Sequence, residues 1–255
     1  MYYFNIIEEN ELSFVELFSR KIIVSEYVTL YYNSVMRDDE FFNRIVVKDC
    51  NAIVDVVNAE EILKSKGVTP FIYSTHKSRL MEEYGYSVYD MIITLVNNNN
   101  DRISVVYSNN NSNVTIDKGI KDERYVDMWI DIFSNAFNIN HYKREIRKRI
   151  AEALKLHGNK LILNLAYSKS NYYNSKPIGC SALFLSSNVM GLYCLGVLQE
   201  YRRQGVASLL IREAVLEARS KSLILVVQTF ARDNLTSFYS KHGFVYAYSK
   251  FIYCK

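Results

Sequence analysis

Leu195-Gly-Val-Leu-Gln-Glu-Tyr-Arg-Arg-Gln-Gly-Val-Ala-Ser-Leu-Leu210 is the most informative stretch of this sequence. It joins an apolar strand to an amphipathic helix that is predicted to begin at about Val206. Across the turn, Arg202, Gly205 and Ala207 form the pattern R-x-x-G-x-A. The first N–H groups of a helix have no partner within the helix, and small side chains let an anion approach them closely. The stretch therefore predicts a cradle for a phosphate or pyrophosphate group.

The residues that follow distinguish such a cradle from an ordinary turn between a strand and a helix. An apolar strand is predicted at 223–227, and a second helix ends in the sequence Phe238-Tyr-Ser-Lys-His-Gly-Phe244. With both features in this order, residues 195–244 resemble the GNAT superfamily of acyl-CoA N-acyltransferases. In that family, R/Q-x-x-G-x-G/A binds the pyrophosphate of coenzyme A, and a Tyr four residues before a Gly-Phe pair lies near the thioester sulfur.

The resemblance implies an α/β fold of the α+β type, the GNAT fold with its mixed sheet, over residues 113–255. It also implies an N-acetyltransferase that moves an acetyl group from acetyl-CoA to a primary amine by direct attack, without a metal. The acceptor would be a small-molecule amine, a lysine or a protein N-terminus, and a homodimer stays open.

The acetyl-CoA site that the family pattern implies has two main parts, the end of strand 189–198 and the loop that follows it. The pantetheine arm would lie along the strand, where the N–H of Val197 would polarise the acyl carbonyl. Asn234 resembles the Asn that opens the next helix in the family, but it lies five residues before Tyr239 instead of seven, so a role as N-cap alone stays open. The residues implied to bind the cofactor are Leu195, Val197, Arg202, Arg203, Gln204, Gly205, Val206, Ala207 and Asn234.

Tyr239 is the candidate general acid for the leaving thiolate, a role that typically contributes about 10²–10⁴-fold in rate. The structural alternative is an aromatic side chain that packs its helix against the sheet beside Phe238. The general base is missing from the pattern, because strand 189–198 contains no Asp or Glu. A water chain, Glu145 or His141 could take this role.

Two alternative functions stay open. The missing base favours a non-catalytic acyl-CoA sensor or scaffold. A doubled GNAT-like chain with a basic half would also suit an aminoacyl transferase that uses charged tRNA. Against the second alternative, the R-x-x-G-x-A loop for coenzyme A is intact, and tRNA-dependent relatives generally lack it.

Charge is distributed unevenly along the chain. Residues 1–100 hold 9 Lys and Arg against 15 Asp and Glu, and residues 101–255 hold 22 against 12, so the halves carry −6 and +10. A basic half suits a polyanion such as coenzyme A. Nucleic acid would also suit it, but no nucleic-acid-binding motif supports that alternative. Four cysteines without close pairing or metal-like spacing indicate a cytoplasmic protein with reduced thiols. No apolar run has the length of a membrane span.

Residues 1–100 predict a smaller α/β domain. From Asn58 onward the predicted order is helix, strand, helix, Gly85-Tyr86 and strand, which repeats the order after the phosphate loop. We interpret this region as a degenerate, truncated GNAT-like unit, against the alternative of a coincidental α/β order. Its chemistry is absent, because no glycine precedes the Asn58 helix and Met81 stands in the place of Tyr239.

Three further expectations concern the region before the C-terminal unit. Helical spacing predicts one or two helices within residues 11–32, and β-branched residues predict a strand at 52–57. The Asn-rich segment 101–112 is predicted to connect the domains 1–100 and 113–255, either as a hairpin with an edge strand or as a linker without fixed structure.

Overall fold

The computed structural model describes residues 2–97, 113–168 and 175–255. The chain divides into two compact units, each assembled from separate stretches. The first unit contains residues 1–11, 96–227 and 238–245, and the second contains 12–95, 228–237 and 246–255. The connector 101–112 lies outside the described residues, so the domain boundaries drawn around it stay a prediction.

The helices and strands of the described residues are numbered in chain order. The helices are α1 (Tyr2–Glu16), α2 (Ile53–Ser65), α3 (Arg79–Glu83), α4 (Glu123–Ala136), α5 (Lys143–His157), α6 (Val206–Ser220) and α7 (Thr236–Ser240). The strands are β1 (Arg20–Ile23), β2 (Val28–Tyr32), β3 (Arg44–Val47), β4 (Ile72–Ser74), β5 (Ser87–Asn97), β6 (Val114–Lys118), β7 (Leu161–Ser168), β8 (Lys176–Ser186), β9 (Val189–Val197), β10 (Ile224–Phe230) and β11 (Val245–Cys254).

The sheet of the first unit is a meander that ends in a parallel strand. Strands β6, β7, β8 and β9 pair as antiparallel neighbours in that order, and β10 pairs with β9 in parallel. Helix α6 makes the crossover that a parallel pair requires. It packs on the sheet because its buried side chains recur at helical spacing. Helix α4 is fixed to β8 by Trp129, whose Nε1 donates to the carbonyl oxygen of Ser181 at 2.9 Å.

The second unit repeats this plan with shorter elements. Strands β1, β2 and β3 are antiparallel, α2 follows β3, and β4 lies parallel to β3. The C-terminal strand β11 is continuous and lies antiparallel to β4, with Ile252 opposite Tyr73. The last strand of the chain therefore helps to complete the sheet of the second unit.

Two expectations for the N-terminal region are wrong. Residues 11–32 form only the end of a helix and then the hairpin of β1 and β2, because the Ser25 hydroxyl accepts the N–H groups of Tyr27 and Val28 and closes a turn. The β-branched run 52–57 begins helix α2 instead of a strand. Helical spacing outweighs strand propensity here, since the buried residues of α2 are Ile53, Val56, Ala59, Glu60 and Leu63.

Gly85-Tyr86 and Gly243-Phe244 adopt the same local structure in the two halves of the chain. The glycine φ is +83° in the first pair and +81° in the second. The aromatic N–H donates to the carbonyl oxygen of Met81 at 3.0 Å in one case and of Tyr239 at 3.3 Å in the other. Each ring is buried, and a strand begins at the next residue. The repeat inferred from the order of elements thus extends to backbone hydrogen bonding.

Tyr253 ties the C-terminal strand to the core of the second unit. Its side chain is fully buried, and its hydroxyl accepts the N–H of Ser78, the N-cap of α3, at 2.8 Å. The substitution Tyr253→Phe leaves that buried N–H without its acceptor. We expect it to lower the free energy of unfolding by about 1–3 kcal/mol, measured by urea denaturation.

Tyr246→Phe is the matched control, because Tyr246 lies on the same strand, is 61% exposed and hydrogen-bonds the Ser249 hydroxyl. It should change stability by less than about 0.5 kcal/mol. Equal losses in the two variants would contradict a buried role for the Tyr253 hydroxyl.

Candidate active site

Strands β9 and β10 pair over only the first part of their length. Val189–Leu192 lies beside Ile224–Val227, and β9 then continues to Val197. Among the described residues, the part of β9 after Leu192 has no register partner on β10. The end of β9 therefore presents a backbone edge that the parallel ladder does not use.

A bulge in β9 bends the strand at this point. Cys194 and Leu195 together lie opposite the single residue Ser181 of β8, because the register shifts by one residue there. Cys194 has a φ of +52°, in the left-handed region that residues other than glycine seldom adopt. A bulge bends its strand and increases the local twist, which accounts for the separation from β10.

The direction of the backbone groups follows from one hydrogen bond. The N–H of Leu198 donates to the carbonyl oxygen of Ile178 on the β8 side at 3.0 Å. Successive residues of a strand direct their N–H groups to opposite edges. The N–H of Val197, the residue implied to polarise the acyl carbonyl, therefore points away from β8.

The loop after β9 ends at the N-terminus of α6. Gly205 is the N-cap and has a φ of +81°. The first helical hydrogen bond runs from the N–H of Leu209 to the carbonyl of Gly205 at 3.1 Å. The N–H groups of Val206, Ala207 and Ser208 precede that bond, so they lie at the positive end of the helix dipole. Residues 202–205 are exposed, which leaves this end of the helix accessible.

The polar side chains of this loop differ in what they contact. Arg202 donates from Nε to the carbonyl oxygen of Val197 at 3.1 Å and from Nη2 to that of Ala136 at 2.9 Å. Gln204 donates from Nε2 to the carbonyl oxygen of Glu200 at 2.9 Å. Arg203 is exposed and has a φ of +60°. The predicted cofactor residues Leu195, Val197 and Arg202 to Ala207 thus lie on one continuous strand, loop and helix of the first unit.

An apolar cluster underlies the cradle. Its buried members come from α6, β7 and β8, and Leu195 and Val197 are partly buried against it. These two side chains therefore have one surface in the protein and one in solvent, as expected for residues that line a ligand groove. The buried members are Ala166, Ile178, Val206 and Leu210.

Gly196 permits the end of α4 to approach β9 closely. A Cβ atom at this position would lie 2.8 Å from the Cβ of Ala136 and 3.0 Å from the ring of Phe137. Both distances are shorter than ordinary van der Waals contact, so the glycine is required by packing. The bulge of β9 lies two residues earlier, at Cys194.

Tyr239 is held in α7 with its side chain 5% exposed. Its ring lies at a centroid distance of 5.4 Å from Phe238 and 5.8 Å from Phe244, both at steep angles. These contacts fit the packing alternative, and the general-acid role stays a prediction. Asn234 belongs to the second unit, is exposed and has a φ of +51° two residues before α7 begins, so it does not cap that helix.

Sequence reasoning missed a contact between the cradle helix and the segment that carries Tyr239. The hydroxyl of Ser208 lies 3.1 Å from Nε2 of His242. The imidazole is buried and packs at 5.1 Å against the ring of Phe238. Burial lowers the pKa of His242, which favours the neutral ring. The two residues are 34 positions apart, and no local pattern in the sequence connects them.

The two residues proposed as the general base, Glu145 and His141, make contacts that do not indicate that role. Glu145 is buried on α5 and accepts from Nε of Arg149 at 2.7 Å. His141 is exposed, with its ring 3.9 Å from that of Tyr142.

The thiol of Cys180 donates to the carbonyl oxygen of Cys194 at 3.5 Å, and burial raises the pKa of this thiol. In the parts of the chain that the structure describes, no group of His, Cys, Asp and Glu is arranged to hold a metal ion.

Residues 167–246 match the family model of the acetyltransferase (GNAT) domain. This segment includes the bulged strand, the cradle loop, α6 and Tyr239. The chain contains a GNAT acetyltransferase domain. An acyltransferase is the class of activity that such a domain supports.

Solved structures extend the GNAT fold to nearly the whole chain. A GCN5-related N-acetyltransferase from Kribbella flavida aligns with a TM-score of 0.70 and 12% identity, over 97% of this chain and 93% of that one. A functionally unknown conserved protein from Staphylococcus epidermidis aligns with a TM-score of 0.67 and 14% identity, over 92% of this chain and 93% of that one. A tandem GNAT protein from the clavulanic acid biosynthesis pathway aligns with a TM-score of 0.60 and 11% identity, over 89% of this chain and 77% of that one. At these identities the likeness concerns the fold.

No curated protein matches the sequence. None of the helices in the described ranges combines the length and the apolar character needed to cross a bilayer.

The low pKa of His242 predicts a specific pH dependence of stability. The folded state binds this proton more weakly than the unfolded state, so the stabilising effect is complete above the unfolded pKa of about 6.5 and is lost as the pH falls toward the folded value. Between about pH 7.5 and 5, wild type should lose more stability than His242→Gln, measured by urea denaturation at each pH.

His141→Gln removes an exposed imidazole and should keep the wild-type slope. If His242→Gln has the same pH dependence as wild type, the buried imidazole does not remain neutral in the folded state.

Proposed function

We propose that the chain transfers an acetyl group from acetyl-CoA to a primary amine by direct attack. One observation carries the proposal: the exposed loop at the N-terminus of α6 follows a strand end at which the N–H of Val197 faces away from β8. The first feature suits a pyrophosphate and the second suits an extended acyl arm. Along the chain, the strand end that would bind the acyl arm comes before the helix N-terminus that would bind the pyrophosphate. This order suits coenzyme A.

The donor would be held mainly by backbone groups. The N–H groups of residues 205–208 would donate to phosphate oxygens, where each interaction with the helix dipole contributes about 0.3–1 kcal/mol. Arg203 and Gln204 would lie at the rim, and charge-assisted hydrogen bonds from a guanidinium are stronger than neutral ones. Leu195 and Val197 would align the arm along the open edge of β9, as an added strand pairs with a sheet edge.

Acetyl-CoA supplies an acyl group that its thioester has already activated. The N–H of Val197 would donate to the acyl carbonyl oxygen, where negative charge develops. Tyr239 would donate its phenolic proton to the sulfur as the C–S bond breaks and the C–N bond forms. The attacking amine must be neutral, and β9 offers no carboxylate to deprotonate it. We therefore assign that proton to a water chain.

Gly205→Glu should abolish donor binding. The carboxylate would lie at the phosphate position, where it repels the pyrophosphate, and Glu is strained at a φ of +81°. Calorimetric titration with acetyl-CoA should give saturable binding to wild type, and affinity should fall at least about 100-fold in the variant.

Gly85→Glu is the matched control, because Gly85 has a φ of +83°, is exposed and has open space around its Cβ position. It imposes similar strain and the same charge away from the cradle, and it should bind acetyl-CoA like wild type. Failure of wild type itself to bind would refute the proposal and favour transfer from charged tRNA.

A non-catalytic acyl-CoA sensor is the second candidate. It is favoured by the absence of a carboxylate on β9 and by the pairing of Glu145 with Arg149. The two candidates share the donor cradle and differ only in turnover.

Tyr239→Phe separates the two candidates. The substitution removes one hydroxyl and keeps the buried ring. We expect about a 10²–10⁴-fold loss of turnover with acetyl-CoA affinity retained, measured by release of the free thiol in the presence of peptide and small-molecule amines. Unchanged turnover would exclude the general-acid role, and no turnover in wild type would support the sensor. Tyr246→Phe, on an exposed ring, is the control.

A further inference from the structure

The side chain of Arg202 bridges two carbonyl groups that are far apart in sequence. Nε donates to Val197 at the end of β9, and Nη2 donates to Ala136 at the end of α4. The guanidinium is planar and presents its donors in a fixed geometry, so both bonds together set the distance between the two carbonyls. A cation at the C-terminus of a helix is also favoured by the helix dipole.

A second contact joins the same two elements. At Gly196, one residue before Val197, the missing side chain makes room for Ala136 and Phe137. The end of α4 therefore meets the end of β9 twice, through packing at Gly196 and through Arg202 at Val197. We call this pair of contacts the clamp.

The clamp sets the position of the turn that follows α4. The N–H of Ile139 donates back to the carbonyl of Ser134 at 2.9 Å, and Asn138 between them has a φ of +57°. A turn this tight cannot move independently of the helix end that it closes. Phe137 is 48% exposed beside the backbone of Gly196, so the turn forms a wall next to the end of β9.

We propose that Arg202 is a positioning residue that couples the donor cradle to this wall. The proposal rests on the proposed function for one point, that the acyl carbonyl lies at Val197. Because the wall lies beside Gly196, it would border the path of an amine that attacks that carbonyl, and Arg202 belongs to the loop that would hold the donor. When the donor orders the loop, it would then also order the turn after α4. Loss of the two Arg202 hydrogen bonds would uncouple the loop from the turn.

Hydrogen exchange of the full-length protein tests the clamp without any ligand. In Arg202→Gln, the amides of Phe137, Asn138 and Ile139 should exchange about fivefold to tenfold faster than in wild type, because two hydrogen bonds are lost. Arg202→Lys should behave like Arg202→Gln, since one ammonium group cannot reproduce the fixed geometry of the two guanidinium donors. Arg203→Gln, with the same charge change on the adjacent residue, should leave these amides unchanged.

Acetyl-CoA is the probe for the coupling. In wild type it should slow exchange both in residues 203–208 and at the turn 137–139. In Arg202→Gln it should still slow exchange in the loop and no longer at the turn, and the affinity for acetyl-CoA should fall by less than about tenfold, because the loop loses one anchor and keeps its N–H donors. Arg203→Gln should show the reverse: weaker acetyl-CoA binding with the coupling intact. For an amine that supports turnover, Arg202→Gln should raise the KM of the amine at least about fivefold, a larger rise than that in the KM for acetyl-CoA.

The outcomes separate the two proposals. If wild type does not bind acetyl-CoA, the proposed function fails, and the exchange rates without ligand still decide whether Arg202 holds the turn. If Arg202→Gln weakens acetyl-CoA binding at least about tenfold and leaves exchange at 137–139 unchanged, Arg202 is a phosphate ligand and the positioning role is overturned.

Discussion

The bulge at Cys194 is the constraint on which the candidate site depends. A parallel strand inside a sheet normally has both edges hydrogen-bonded, so it has no backbone groups left for a ligand. The bulge bends β9 after Leu192, and beyond it the N–H of Val197 points away from β8. A non-glycine residue in the left-handed region costs about 1–3 kcal/mol, and the buried strands on either side maintain it. Backbone strain of this kind is concentrated at functional positions, and here it lies three residues before Val197, the predicted carbonyl contact.

The second unit shows what the same plan becomes without a cradle. It also has a parallel strand pair joined by a helix and a buried aromatic residue after a left-handed glycine. Its connection from β3 to α2 comprises only residues 48–52, and the N-cap is Ala52 with a φ of −76°. The shorter loop and the missing glycine leave no equivalent of Gly205, and Met81 lacks a proton to donate. The two copies therefore share backbone architecture and differ in the few residues that chemistry requires.

Local patterns were enough to predict the repeat and the strand, loop and helix around R-x-x-G-x-A, because these features are encoded within short segments. R-x-x-G-x-A places a glycine where φ is positive, and Gly85-Tyr86 matches Gly243-Phe244 by type and position. The errors arose where tertiary context outweighed propensity: the β-branched start of α2 is helical because one of its faces is buried. The pairing of β11 with β4 and the contact between Ser208 and His242 join residues far apart in sequence, so no local signal could have shown them.

The N-terminus of α6 is held on two sides by side chains that do not face the predicted phosphate. On one side Arg202 fixes the loop to the end of α4, and on the other Ser208 contacts the neutral imidazole of His242, three residues after Tyr239. A phosphate bound between them would need the backbone N–H groups already in place, since ordering them during binding would cost conformational entropy. The two contacts supply this order in advance. They also join the donor loop to the elements that carry the wall and the candidate acid, so the three parts of the site form one connected structure.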